Sequence, residues 1–278
     1  MQKIVDGATQ LLPIVGDPIR QVRSPEVLSA LFRLNGFNAV CVPAHVAPPD
    51  LPKFVAGLRI VRNVMGFIAT IPHKQAVIAL LDGLTPRSRR VGSANVVRRG
   101  ADGSLTGDIV DGLGFVKGLI RSGQRIEGRR ALVVGSGGVG NAIAFAIAEA
   151  GAASVHVADI LAERGSDLAR RLEASGTPSG VAPAAAKGFD LVVNASPLGM
   201  KAGDPIPIDC IGLSGDAIAG DVVVEPQITP FLAAARERGC HVQPGTVMMD
   251  NQLAAMREFF GFPEGDYSPE AIARVTAA

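Results

Sequence analysis

The sequence predicts an α/β protein of two domains with a cleft between them. Three observations carry that expectation. The chain has 278 residues, a length that suits two domains of about 100 to 200 residues each. From Gln10 onward, short apolar runs alternate with longer helix-like segments. Near the middle, a glycine-rich turn separates an apolar run from a helical one. A repeating strand, helix, strand rhythm marks a parallel sheet, whose strands are buried on both faces and need not alternate polar with apolar residues.

The elements follow in order. Leu11 to Gly16 reads as the first strand, and Ser24-Pro25-Glu26 opens a helix with Ser24 as N-cap and Pro25 at its first position. Phe37 to Val42 is a second strand, Leu51 to Ile60 a helix, Val64 to Ile71 a third strand ending at Pro72, and Gln75 to Leu81 a helix. A basic break covers Arg87 to Arg99, followed by a hairpin-like turn from Arg99 to Ser104. Asp111 to Arg121 is helical, and after the polar stretch Ser122 to Arg130 the pattern restarts with the strand Ala131 to Val134. The remaining strands are Ser154 to Ala158, Phe189 to Val193 and Ile218 to Val224, and Met249 to Phe260 is a final amphipathic helix. The expected domains are 1–112 and 113–246, with 247–278 packing back on the first.

Composition excludes several function classes. Hydrophobic residues make up 47% and charged residues 19%, with mean hydropathy +0.29, so the chain can bury a sizeable core. Aromatics are only 4%, with one Tyr and no Trp, which disfavours single-stranded nucleic-acid platforms and sugar clefts that stack ligands on rings. The net charge of +1 supplies no field for phosphate polymers or anionic membranes. No apolar run reaches the roughly 18 residues of a spanning helix, and the N-terminus (Met1, Gln2, Lys3, then Asp6) shows no signal-peptide core. Cys41, Cys210 and Cys240 have no Cys-x-x-Cys spacing, and His45, His73, His156 and His241 have no ligand spacing, so no metal is expected. The reading is a cytoplasmic protein with a small-molecule partner, neither nucleic acid nor membrane, as monomer or homodimer.

Gly135-Ser136-Gly137-Gly138-Val139-Gly140 matches G-x-G-x-x-G between an apolar strand and the helix Asn141 to Glu149. Glycines there permit a sharp turn, close approach of backbone amides to a pyrophosphate, and tight packing of helix on sheet. Asp159 lies beyond the next strand, 24 residues after Gly135, the context expected of a Rossmann dinucleotide domain. A carboxylate there accepts hydrogen bonds from both adenosine ribose hydroxyls and repels a 2′-phosphate, and Ile160 and Leu161 offer no cation. The cofactor expected is NAD, in preference to NADP, with Arg164 read as a solvated cation at a helix start.

Several separated segments resemble the shikimate/quinate dehydrogenase family. Gly16-Asp17-Pro18-Ile19 running on to Ser24-Pro25 is similar to its opening G-x-P-I…S-P, Thr70 to Lys74 to its T-V-P-x-K, Ser93-Ala94-Asn95 to its A-V-N, and Gly107 to Gly112 to its G-D-N-T-D-G. Asn194 to Met200 resembles N-A-T-P-x-G-M, Thr229 to Leu232 matches T-P-x-L, and Gly245 to Gln252 fits G-x-x-M-L-x-x-Q. The matches are collinear over nearly the whole chain. The resemblance implies an N-terminal α/β substrate-binding domain followed by a Rossmann domain, and reversible hydride transfer between a nicotinamide and a ring hydroxyl carbon of a cyclic polyhydroxy acid. By the same resemblance Lys74 and Asp111 are the catalytic pair and proton relay, which agrees with the need to remove a proton as hydride leaves an alcohol. It implies further that Thr70, Asn95 and Gln252 bind substrate hydroxyls, and that Ser24 contacts the carboxylate. On the cofactor side it implies that Asn194, Ser196 and Met200 line the nicotinamide half, with Gly245 giving a backbone contact.

The departures concentrate where the family binds its acid. Its first opening-loop Ser is Val22 here, the Asn two residues before Thr70 is Ile68, the N-T of G-D-N-T-D is Ile109-Val110, and the Tyr before T-P-x-L is Val224. Each hydrogen bond lost to a charged group is worth about 1.5–3 kcal/mol, so an altered, less polar substrate with poor shikimate activity is an alternative expectation. Arg20 or Arg23 could replace the lost donors. A non-catalytic NAD-binding sensor is a second alternative, opposed by the retention of both Lys74 and Asp111.

Overall fold

The computed structural model describes residues 5–277. Met1 to Lys3, read above for the lack of an apolar leader, lie outside the described residues. The chain opens with β1 (Gln10–Gly16), α1 (Ser24–Leu34), β2 (Ala39–His45), α2 (Leu51–Ile60), β3 (Gly66–Ala69) and α3 (His73–Ala76). It continues through β4 (Gly83–Leu84), α4 (Pro86–Val91), β5 (Val96–Arg99), β6 (Leu105–Asp108), α5 (Asp111–Arg121), β7 (Arg130–Val134), α6 (Gly138–Glu149) and β8 (Ser154–Ala158). Last come α7 (Ala162–Ala174), β9 (Ser179–Val181), β10 (Leu191–Asn194), β11 (Ile218–Asp221), α8 (Pro230–Glu237), β12 (His241–Gln243), α9 (Gly245–Phe260) and α10 (Pro269–Thr276). The chain divides into two units, one running to Val110 and resuming at Leu253, the other from Asp111 to Gln252.

The first unit is built on a sheet of order β2-β1-β3-β5-β6-β4. It is mixed and not wholly parallel: β1 runs parallel to β2 and β3, whereas β5 is antiparallel to both β3 and β6. The physical reason is the tight turn after β5. Gly100 N–H donates to Ser104 O at 2.8 Å, and Asp102 Oδ1 accepts from the Ser104 amide and hydroxyl; so short a return forces antiparallel pairing, since a parallel neighbour needs a long crossover. Side-chain alternation along β1 feeds two cores. Leu12 and Ile14 pack with Leu28, Leu31 and Phe32 of α1, and Val15 with Leu51, Val55 and Leu58 of α2. Leu253, Met256 and Phe260 of α9 and Ile272 of α10 join the α1 side. With each large apolar side chain worth about 1.5–3 kcal/mol on burial, the sheet is fixed from both faces.

Two local expectations change. Ser24 is the first helical residue and not the cap; the N-cap position falls on Arg23, which is itself in the αR region and makes no side-chain cap. The helix expected over Gln75–Leu81 begins earlier, as α3, and gives way to a 3₁₀ turn at Val77–Leu80.

The second unit is a wholly parallel sheet of order β12-β11-β10-β7-β8-β9. Strand order reverses between β7 and β10, and in doubly wound sheets ligands bind beyond the strand C-termini at that switch point. Strand β11 stops at Asp221, short of the expected Val224, because the Asp221 carboxylate turns onto the Val223 amide at 2.9 Å and takes a donor the ladder would need.

Among the described residues no helix is long and apolar enough to cross a membrane, and no group of three or more His, Cys, Asp or Glu could hold a metal ion. Cys41, Cys210 and Cys240 are buried free thiols; burial pushes Cys41 up to about 12.

Candidate active site

On the second unit, the glycine loop leaves β7 at the switch point. Gly135 has φ +103°, and a Cβ there would lie 2.8 Å from the Ala195 carbonyl, while a Cβ on Gly140 would lie 1.9 Å from the Gly135 carbonyl. Those two glycines are demanded by the protein's own packing. Gly137 is not: it is extended (φ −70°, ψ −174°), and a Cβ there would meet nothing within 4 Å. Helix α6 begins beside that open space with Gly138 and Val139 in its first turn and no side-chain cap. An extended glycine with room in front, at a helix start without a side-chain cap, fits a pyrophosphate, whose oxygens accept amide hydrogen bonds.

Asp159 is tied into this loop. Its Oδ2 accepts from the Ser136 hydroxyl at 2.6 Å and the Ser136 amide at 2.7 Å, and its Oδ1 from the Leu161 amide at 2.8 Å. Burial alone would raise its pKa, but these hydrogen bonds, with the charge of Arg164, hold it below the usual carboxylate value. The carboxylate therefore joins the end of β8 to the turn after β7. Ile160, next in sequence, is 97% exposed.

The turn after β10 is organised from within. Asn194 is fully buried; its Nδ2 donates to Leu198 O and to Asp221 Oδ1, both at 3.0 Å, and its Oδ1 accepts from the Ser196 hydroxyl at 2.6 Å. Asp221 also accepts from the Thr229 hydroxyl at 2.7 Å and the Val223 amide at 2.9 Å. Burial pushes its carboxyl above the usual range against those hydrogen bonds. Asn194 itself shapes the turn from inside, while Ser196 and Met200 are only half-buried. Gly245 opens α9 against β11's exit, since a Cβ there would lie 2.5 Å from Val223 O. Sequence reasoning missed Asp221, although a single acid inside the apolar run Ile218 to Val224 was the available signal.

Asp111 and Gln252 also belong to this unit. Asp111 is buried at the first turn of α5, where a carboxylate is favoured by the helix dipole. Gln252 lies on α9 against α5: a Cβ on Gly114 would sit 2.9 Å from Gln252 Cβ.

On the first unit, Thr70 and Lys74 follow β3. The Thr70 amide donates to Val15 O at 2.9 Å, and the Asp17 amide returns a bond to Ile71 O at 2.9 Å. The Lys74 carbonyl accepts from the Ala94 amide at 2.8 Å, which places Asn95 one residue away; the Asn95 carbonyl accepts from Ala69 and its amide donates to Asp108 O. Asn95 Oδ1 accepts from the Val110 amide at 2.9 Å, so this side chain also fixes the residue preceding Asp111. Asp108, unassigned from sequence, is buried under Arg87, whose guanidinium pairs with it through Nε and Nη2, and accepts from the Thr85 hydroxyl at 2.6 Å. Among the positions where family polar residues are replaced, Ile68 and Val110 are buried in the apolar cluster that packs on Val22.

Residues 14–97 match the family model of the shikimate dehydrogenase substrate binding domain. The chain is 38% identical over 264 residues to the shikimate dehydrogenase (NADP(+)) of Rubrobacter xylanophilus, covering 92% of this chain and 93% of that one. The chain belongs to the shikimate dehydrogenase family. Another family member, the shikimate dehydrogenase (NADP(+)) of Methylobacterium radiotolerans, is 36% identical over 278 residues, covering 97% of this chain and 98% of its own. Among solved structures, quinate dehydrogenase from Corynebacterium glutamicum in complex with NAD superposes with TM-score 0.82 at 30% identity, covering 97% and 99% of the two chains. The α/β architecture expected from sequence, a substrate-binding domain with a Rossmann domain, is that of the family.

The expectation of NAD in preference to NADP is corrected. Shikimate dehydrogenase relatives 35–38% identical to this chain are named for NADP(+). The physical weakness of the expectation is that it treated the Asp159 carboxylate as uncommitted, whereas both its oxygens already accept hydrogen bonds from Ser136 and Leu161. Nor is the end of β8 without a cation, since Arg164 acts electrostatically on Asp159.

Proposed function

We propose that the chain is an NADP(+)-dependent oxidoreductase that interconverts a ring hydroxyl of a shikimate-like cyclic hydroxy acid with the ketone, the second unit holding the dinucleotide and the first making most of the contacts to the acid. The observation that carries this reading is the open Gly137 position, without a side-chain cap, between two glycines that packing demands. When bound, the dinucleotide accepts or returns hydride. Backbone amides at Gly137 and in the first turn of α6 hold its pyrophosphate, Arg164 attracts the 2′-phosphate, and Ser196 and Met200, in the turn that Asn194 shapes, border the nicotinamide end with Gly245. On the acid, Thr70, Asn95 and Gln252 hydrogen-bond ring hydroxyls and Ser24 the carboxylate. Lys74 takes the hydroxyl proton as the carbon loses hydride, and Asp111 passes it on; removal of a positioned acid or base typically costs about 10²–10⁴ in rate.

A second reading, a cyclic substrate with fewer polar groups, is favoured by one observation: Val22, Ile68 and Val110 share one apolar cluster, where the family pattern has Ser, Asn and Thr. Steady-state kinetics with shikimate, quinate and less hydroxylated ring acids, each with and without the 2′-phosphate on the dinucleotide, separates the two. Higher kcat/KM for shikimate with NADP(+) supports the first reading. Higher kcat/KM for a less hydroxylated acid supports the second, and no turnover of any acid contradicts both.

A further inference from the structure

We propose that His73 is a positioning residue for Lys74, acting through one hydrogen bond to the end of β2. The inference rests on the reading of Lys74 as the proton-transferring residue. His73 and Lys74 are the first two residues of α3, a helix of only four residues. A helix that short has almost no stability of its own, so the direction in which Lys74 leaves the backbone is set by what fastens α3 to its surroundings. Three fastenings bear on it. The His73 amide donates to Thr70 O at 2.8 Å and closes the turn from β3 into α3. The Lys74 carbonyl accepts from Ala94 on the far side. The third is the His73 ring, 1% exposed, whose Nε2 lies 2.8 Å from Val46 O. A carbonyl can only accept, so Nε2 carries the proton and donates.

That bond closes a circuit of strand ends. The Val46 amide donates to Gly16 O at 3.2 Å, and the Asp17 amide to Ile71 O at 2.9 Å, while the Asp17 carboxylate and His45 Nε2 lie 2.7 Å apart. The C-terminal ends of β1, β2 and β3 are thus joined, and the His73 side chain ties α3 to the residue that follows β2.

Methionine and glutamine match each other in length and differ in the donor, so His73→Met and His73→Gln separate hydrogen bonding from volume. With the substrate that the wild type turns over best, H73M is expected to lower kcat by about 10- to 100-fold, the scale of a misplacement of about 1 Å. Its KM for the acid and its dinucleotide affinity are expected to stay within about twofold, a difference of under 0.5 kcal/mol. H73Q is expected to restore most of the rate. Equal kcat in H73M and wild type, or equal losses in H73M and H73Q, overturns the proposal; so does a loss confined to KM. If H73M does not fold, an H73Q enzyme that folds but has lost turnover overturns it, and one near wild-type kcat supports it. Lys74→Ala, measured alongside, keeps the two readings apart. An active K74A enzyme removes the role of Lys74 and the positioning with it, whereas an inactive K74A beside a fully active H73M removes only the positioning.

Discussion

On the proposed function, the two units carry their chemistry in different materials. In the second, the parallel sheet brings the turns after β7 and β10 to one switch point, and what those turns offer is backbone: glycines 135, 137 and 140, with buried or half-buried carboxylates holding the turns in shape. In the first, a mixed sheet presents side chains, Thr70, Lys74 and Asn95, each located by main-chain bonds to neighbouring strand ends. Backbone recognition tolerates little change, because a Cβ in the wrong place meets another backbone. Side-chain recognition can be altered one residue at a time, and four of the five departures from the family pattern, Val22, Ile68, Ile109 and Val110, are in this unit, with Val224 in the other.

The comparison can be tested from its strongest effect downward. Lys74→Ala should lower kcat by about 10²–10⁴-fold with dinucleotide affinity unchanged, measured by steady-state kinetics and by titration; equal loss of both would mean that the units do not divide the work. Next, two glycines of one loop should behave differently. Gly140→Ala, whose Cβ would lie 1.9 Å from Gly135 O, should cost at least about 1–3 kcal/mol as overpacking and abolish dinucleotide binding. Gly137→Ala should leave the melting temperature unchanged or slightly raised yet weaken dinucleotide binding about tenfold or more, a difference of about 1.4 kcal/mol. Intact binding in Gly137→Ala would show that the open space is not where the pyrophosphate lies.

Asp221→Ala strands three donors, from Asn194, Thr229 and Val223. At about 1–3 kcal/mol for each buried donor left unsatisfied, partly relieved by rearrangement, denaturant melts should show a loss of about 2–4 kcal/mol. A smaller effect follows from Asp159. Its carboxyl is held below the ordinary value of 3.8, so its contribution is present above that value and is lost as pH falls through the lowered folded value. The melting temperature of Asp159→Asn should therefore lie below wild type at neutral pH and converge with it in strong acid. The smallest effect is expected at Tyr267, whose buried hydroxyl finds no hydrogen-bond partner among the described residues. Tyr267→Phe should change stability by less than about 0.5 kcal/mol or raise it; a clear loss would reveal a partner for that hydroxyl.

What could be read from the sequence follows the same division. The glycine loop and the parallel strands around it were legible because backbone constraints leave a fixed residue type at fixed spacing. The hairpin-like turn from Arg99 to Ser104 was legible too, but the strands it joins were not, because β5 and β6 are only four residues each and β5 lies in a basic stretch. The inward-facing polar residues were missed for a different reason. Asp221, Asp108 and the His73 ring find their partners through tertiary contacts 8 to 27 residues away in the chain, and no local pattern announces them. Asp159 shows the converse: spacing places it at the end of β8, but the role expected of it ignored the donors that fold onto it.

The central claim, hydride transfer from a ring carbinol carbon, is tested most directly with shikimate carrying deuterium at that carbon. Wild-type protein and NADP(+) should give a reduced dinucleotide that carries the label by mass spectrometry, with a slowed rate, and Lys74→Ala should give almost none. Reduced dinucleotide without label, or no reduction of NADP(+) by shikimate or any related ring acid, would contradict the account.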